Sequence, residues 1–159
     1  MTNKSKLMRY AIDYLSKFSS SKKNLERILK SKIIRLKIEK KDKPELYNSI
    51  PEIILKLESN KFINDENYTS SKIRVIARQG KSKAFIKNYL IQKGIEKNVI
   101  SESLNEYENI NPDWEMDSAN IFVRKKRIMK SAENYQKNLN KMARAGFNYS
   151  ISSKILENS

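Results

Sequence analysis

Apolar residues recur along this chain at intervals of three and four, the spacing that lines one face of an α-helix. Leu7, Ala11, Tyr14, Leu15 and Phe18 make a first stripe. Ser19-Ser20-Ser21 interrupts it and supplies an N-cap for a second helix striped by Leu25, Ile28, Leu29 and Leu36. After Lys40–Lys43 and Pro44, the run Ser49-Ile50-Pro51-Glu52 reads as a capping box. It would open a third helix on Ile50, Ile53, Ile54 and Leu57; a helix from Pro44 kinking at Pro51 is the alternative.

The plan then returns twice. Asn64-Asp65-Glu66 caps a helix from Tyr68 to Gln79 that stops at Gly80. Ser82 caps the next, striped by Phe85, Ile86, Tyr89 and Leu90 and closed by Gly94; Val99, Ile100, Leu104 and Tyr107 stripe a third. A last set runs from Asp113 to about Lys130, from about Ala132 to Ala145 with Gly146 after it, and from Ser150 to Leu156. Gly94 and Gly146 thus fall at the same point of successive modules, each before an apolar residue that packs back on the helix. Helices this short need neighbours to bury their stripes. The expectation is an all-α fold of three tandem three-helix modules, 1–61, 62–110 and 111–159, forming an elongated helical-repeat protein.

Composition narrows the chemistry. Three Gly and three Pro in 159 residues leave little room for the turns of a β fold. There is no Cys and no His, which removes thiol nucleophiles, disulfides, imidazole bases and the usual zinc sites. No phosphate-loop or dinucleotide glycine pattern is present. Acidic groups such as Asp65/Glu66 and Asp113/Glu115/Asp117 sit in helix first turns, where capping accounts for them without a metal. We expect no catalytic residue, no cofactor and no bound metal. Apolar runs are as short as Ile53-Ile54-Leu55, so neither a signal core nor a membrane span is expected, and a cytoplasmic monomer is.

Charge changes the picture most. The net charge is +15, and it comes in blocks: +10 over residues 1–43, −3 over 44–70, +7 over 71–98, −6 over 99–120 and +7 over 121–159. A lysine-rich genome would raise Lys everywhere and would not remove it from a whole stretch. The alternation marks a repeated unit with a basic part and an acidic part.

These residues resemble the RecX regulatory family. Phe62-Ile63-Asn64-Asp65-Glu66-Asn67-Tyr68, Arg74, Ala77-Arg78-Gln79-Gly80-Lys81-Ser82, Ile86, Leu90 and Lys93-Gly94-Ile95 resemble its middle module. Leu139, Ala143 to Tyr149 and Ile155-Leu156 resemble its last helix pair, and Tyr10-Ala11, Tyr14-Leu15 and Ser21 to Leu29 its first. The position matching Gly94 in the first module is Ile33, and the turn at Gly80-Lys81-Ser82-Lys83 lacks the Gly-Pro often found there. The resemblance implies a regulator that lies in the groove of the RecA–single-stranded-DNA filament. Such a protein lowers filament growth and RecA's ATPase, recombinase and co-protease activities.

Basic blocks recurring once per module are suited to tracking a polyanion, each cation releasing counterions from phosphates. The candidates are Lys22, Lys23, Arg27 and Lys30; Arg74, Arg78, Lys81, Lys83 and Lys87; and Arg124, Lys125, Lys126, Arg127, Lys141 and Arg144. Arg124–Arg127 wraps round a helix, so at most two of the four can face one ligand. Single-stranded DNA is the expected nucleic acid beside RecA, with duplex DNA bound non-specifically. A basic helical DNA- or RNA-binding protein without RecA is the alternative. Tyr14, Phe85, Tyr89 and Phe122 lie on apolar stripes and are expected in the core, and Tyr68 in module packing. Trp114, among acids, is expected to serve packing or a protein partner, and the acidic helix to face basic protein surface or to space the basic parts.

Overall fold

The computed structural model describes residues 2–157, and every regular element among them is helical. The α-helices are α1 Asn3–Lys17, α2 Lys22–Arg35, α3 Lys43–Ser59, α4 Asp65–Arg78, α5 Lys83–Gln92, α6 Lys97–Ile110, α7 Trp114–Lys125, α8 Tyr135–Arg144 and α9 Tyr149–Glu157. A 3-10 turn at Lys40–Asp42 leads into α3. The chain forms two compact units. One runs to Tyr68 and takes in Lys93–Ile95; the other holds Thr69–Gln92 and the chain from Glu96 onward.

In the first unit α1, α2 and α3 close on one core. Leu7 and Ala11 meet Leu25, Leu29 and Ile33, and Leu46, Ile50, Ile53 and Leu57, with Ile63 behind. Every interval within each helix is three or four, and burying each large aliphatic side chain is worth roughly 1.5–3 kcal/mol. Thr2 and Ser21 cap α1 and α2 by accepting from the amides of Ser5 and Asn24. Three sequence expectations fail here. Phe18 ends α1 in extended backbone and is 55% exposed, so it is no part of the stripe. Leu36 lies beyond α2, and Ile33 takes the buried place. Ser49 caps nothing: α3 starts near Pro44, as the alternative reading has it, but runs on through Pro51, and the Ser49 hydroxyl donates to the Leu46 carbonyl at 2.6 Å. Proline has no N–H for the carbonyl four residues back, yet the buried stripe on both sides of it holds the helix.

In the second unit α7, α8 and α9 share a core of Ala119, Val123, Ile128, Met142, Phe147, Ile155 and Leu156. Ile86 and Leu90 bury one face of α5, and Ile100 and Leu104 one face of α6. α7 stops at Lys125 rather than near Lys130, because Arg127 takes left-handed backbone at φ 52°. The amides of Arg127 and Ile128 then donate back to the carbonyls of Arg124 and Val123. Lys61 ends α3 the same way at φ 63°. Both are turns usually made with glycine, so the pattern of glycines did not reveal them. α8 begins at Tyr135, not Ala132, with Ser131 accepting from the Asn134 amide ahead of it.

Candidate nucleic-acid interface

The middle set of candidate cations begins on α4. Asn64 caps that helix by accepting from the Asn67 amide at 3.1 Å. Arg74 and Arg78 follow one turn apart on its exposed side, and Gly80, at φ 85°, turns the chain toward Lys81. Ser82 then caps α5, its hydroxyl oxygen accepting from the Phe85 amide at 3.1 Å. Cations near the last turn of α4 suit its helix dipole as well as any anionic ligand.

One face of α7 lies along this turn. The Ser118 hydroxyl donates to the Lys81 carbonyl, and the Lys125 ammonium donates to the Gln79 carbonyl at 3.0 Å. Ile121 sits between them: a Cβ on Gly80 would come within 2.8 Å of its Cγ2 and 3.0 Å of the Phe122 amide nitrogen. Glu115, at the start of the same face, accepts from the Lys83 amide at 2.9 Å. Basic residues from two separate charge blocks are thereby collected at one turn, with Arg78, Lys81 and Lys125 all exposed.

Each unit also holds its second-helix N-terminus in a clasp, and the two clasps match. In the first unit the Ser21 hydroxyl donates to the Lys93 carbonyl at 2.6 Å, just before Gly94. The Lys22 amide donates to Asp65 at 3.0 Å, and the Lys22 ammonium pairs with Glu58 at 2.9 Å. In the second unit the Ser82 hydroxyl donates to the Ala145 carbonyl at 2.7 Å, just before Gly146. The Lys83 ammonium pairs with Glu108 at 2.7 Å, while its amide is held by Glu115. The first-turn acids Asp65 and Glu115 therefore accept from the start of another helix as well as sitting at the start of their own. The sequence showed capping acids but not where their oxygens go.

The clasps decide the fate of several candidates. Lys22 and Lys83 are engaged in them. Lys23 and Lys30 both reach Glu26, at 3.6 and 3.1 Å, and the Lys30 hydrogen bond heads the causes that hold the Glu26 carboxyl below its usual range. Arg27 and Lys87 lie exposed on α2 and α5. Arg124, Lys126 and Arg127 are exposed where α7 ends, and Lys141 and Arg144 are exposed in the last turn of α8.

The aromatic residues divide. Trp114 is 4% exposed; its indole N–H donates to Glu108 at 3.3 Å and its ring meets Tyr107 edge-on. It serves packing, and of the acids near it Glu115 and Glu108 belong to the clasp. Lys83 and then the indole hold the Glu108 carboxyl below its usual range against the opposing effect of burial. Tyr68 is buried, and Tyr14, Tyr89 and Phe122 are half-buried. Phe85, expected in the core, is instead 42% exposed, with the Lys81 ammonium 4.8 Å from its ring centroid.

Residues 64–104 match a family model described as "RecX, second three-helix domain". The chain is 28% identical over 155 residues to a Regulatory protein RecX of Myxococcus xanthus, covering 92% of this chain and 82% of that one. It is 29% identical over 118 residues to one of Bacillus cytotoxicus, covering 74% of this chain but only 38% of that relative. Among solved structures, RecX from Lactobacillus salivarius superposes with a TM-score of 0.72 at 26% identity, over 97% of this chain and 94% of the other. A second crystal structure of a regulatory protein RecX gives 0.75 at 23% identity, over 98% and 72%, a likeness of fold. No helix among the described residues is long and apolar enough to cross a membrane.

Proposed function

The chain belongs to the RecX family of regulatory proteins, and from that premise we propose that it binds the RecA–single-stranded-DNA filament and restrains it. It has no catalytic residue of its own in this reading and works by occupying the filament. The observation that carries the reading is the basic turn at Gln79–Gly80–Lys81, where the Lys125 ammonium is bonded to the Gln79 carbonyl between exposed Arg78 and Lys81, with Arg74 one turn behind. Cations fixed on helices and a clamped turn can meet successive phosphates without first being ordered, so less entropy opposes binding. Arg124, Arg127, Lys141 and Arg144 extend the proposed contact within the second unit; Lys23, Arg27 and Lys30 are proposed DNA contacts of the first unit by itself. Lys22 and Lys83 hold the clasps and are left out of it.

Co-sedimentation separates this reading from a plain nucleic-acid binder. RecA filaments assembled on long single-stranded DNA should carry the chain into the pellet at concentrations where the DNA alone does not. Equal recovery on naked DNA would favour a basic DNA- or RNA-binding protein with no RecA partner.

A further inference from the structure

Phe85 stands where neither the cap nor the core asks for an aromatic ring. It is the third residue of α5, and its amide makes the capping bond to Ser82 at 3.1 Å. The matching residue in the first unit is Asn24, whose amide bonds to Ser21 at 3.2 Å. There the Asn24 side chain donates to the Ser20 hydroxyl at 3.0 Å, so the cap itself does not require an aromatic ring. Ile86 and Leu90, not Phe85, bury α5 against the core. An aromatic residue left 42% exposed beside a capped helix start gives up burial that its neighbours obtain.

What surrounds the ring indicates a ligand. The Lys81 ammonium lies over the ring, 4.8 Å from its centroid. Arg78 precedes it on α4, and Lys125 is tied to the Gln79 carbonyl of the same turn at 3.0 Å. A ring with a cation over its face and others nearby complements an unpaired base attached to phosphates: the base displaces the ammonium from the ring and stacks there, and the displaced ammonium meets the phosphate. A duplex offers the phosphates but keeps its base faces stacked on one another.

We propose that Phe85 is a stacking platform for one unpaired base of single-stranded DNA, with Arg78, Lys81 and Lys125 holding the adjoining phosphates. This rests on the reading of the turn as a DNA contact and adds to it that the contact recognises bases as well as charge.

The test compares the full chain with Phe85→Leu and Phe85→Tyr, by fluorescence anisotropy on a labelled oligothymidylate and on an abasic strand of the same length. Circular dichroism and a thermal melt check that both variants fold like the parent. One base stacked on one ring predicts that Phe85→Leu weakens oligothymidylate binding roughly 5- to 100-fold and leaves abasic binding unchanged. Phe85→Tyr, which keeps a stacking face, should stay near the parent. If Phe85→Leu binds both strands like the parent, or weakens both equally, the platform is overturned while the DNA contact stands. If the parent binds neither strand, the DNA reading itself falls and the platform with it.

Discussion

The hydroxyl of Ser82 joins two parts of the chain 63 residues apart: it accepts from the amide of Phe85 and donates to the carbonyl of Ala145 at 2.7 Å. Ser21 repeats the arrangement 72 residues from Lys93. A single buried oxygen thus finishes one helix and fixes the glycine turn that follows another. Ser82→Ala should cost about 1 kcal/mol for the lost cap and about 1–3 kcal/mol more for the carbonyl left unsatisfied. Ser21→Ala should behave alike. Urea unfolding measures both, and a loss below about 0.5 kcal/mol would mean that water replaces the hydroxyl without penalty.

The glycine turns have no room for a side chain. Gly94, at φ 79°, lies so close to Lys23 that an added Cβ would overlap its Cβ and Cγ. Gly146, at φ 94°, would overlap the Ser82 hydroxyl itself. Left-handed backbone alone costs an alanine roughly 1–2 kcal/mol, and the overlap adds to it. Gly94→Ala and Gly146→Ala should each lower stability by at least about 2 kcal/mol in denaturant melts. Lys23→Ala should not rescue Gly94→Ala, because it keeps the obstructing Cβ.

Glu108 gives the second clasp a pH dependence. Its carboxyl is held below the ordinary carboxylate range, first by the Lys83 hydrogen bond and against the desolvation of burial. A carboxylate whose pKa is lowered by folding stabilises the fold fully above its unfolded value and loses that contribution as pH falls through the folded one. The stability gap between the parent and Glu108→Gln should therefore be constant near neutrality and shrink below about pH 4.5. Trp114 fluorescence, from an indole bonded to the same carboxylate, follows the melt.

Much of this organisation was legible in the sequence because it depends on local rules. The helix order, the caps at Ser21, Asn64 and Ser82 and the turns at Gly80, Gly94 and Gly146 follow from spacing and backbone preference. The left-handed turns at Lys61 and Arg127 were hidden because nothing in a lysine or arginine announces positive φ. Ser49-Ile50-Pro51-Glu52 has the letters of a capping box, but a continuous buried stripe on α3 outweighs them. Phe85 fits the stripe spacing and still faces solvent, since periodicity places a residue near a face and only tertiary packing decides whether that face is covered. The candidate cations were visible as blocks. That Lys125 would join Arg78 and Lys81, while Lys22 and Lys83 would be tied to Glu58 and Glu108, depends on contacts between distant segments.

Arg74 and Arg78 test the interface with least risk to the fold, because both are exposed and neither enters a clasp. Arg74→Glu with Arg78→Glu should preserve helical circular dichroism and a cooperative melt while weakening oligonucleotide binding more than tenfold at low salt. If about eight phosphates are contacted, log K for the parent should fall with log salt at a slope of roughly −5 to −6, and the double variant should show a shallower slope. Glu102→Lys with Glu106→Lys, in the acidic block on α6, should not weaken binding to naked DNA.

Titration of the chain into RecA, single-stranded DNA and ATP, with ATP hydrolysis as the readout, separates a filament regulator from a competitor for DNA. The chain alone should hydrolyse nothing. If, as proposed, one bound molecule restrains many RecA protomers, inhibition should appear well below the RecA concentration and should be largely lost with Arg74→Glu/Arg78→Glu. Inhibition that begins only when enough chain is present to cover the DNA would contradict a filament regulator and leave simple competition for DNA.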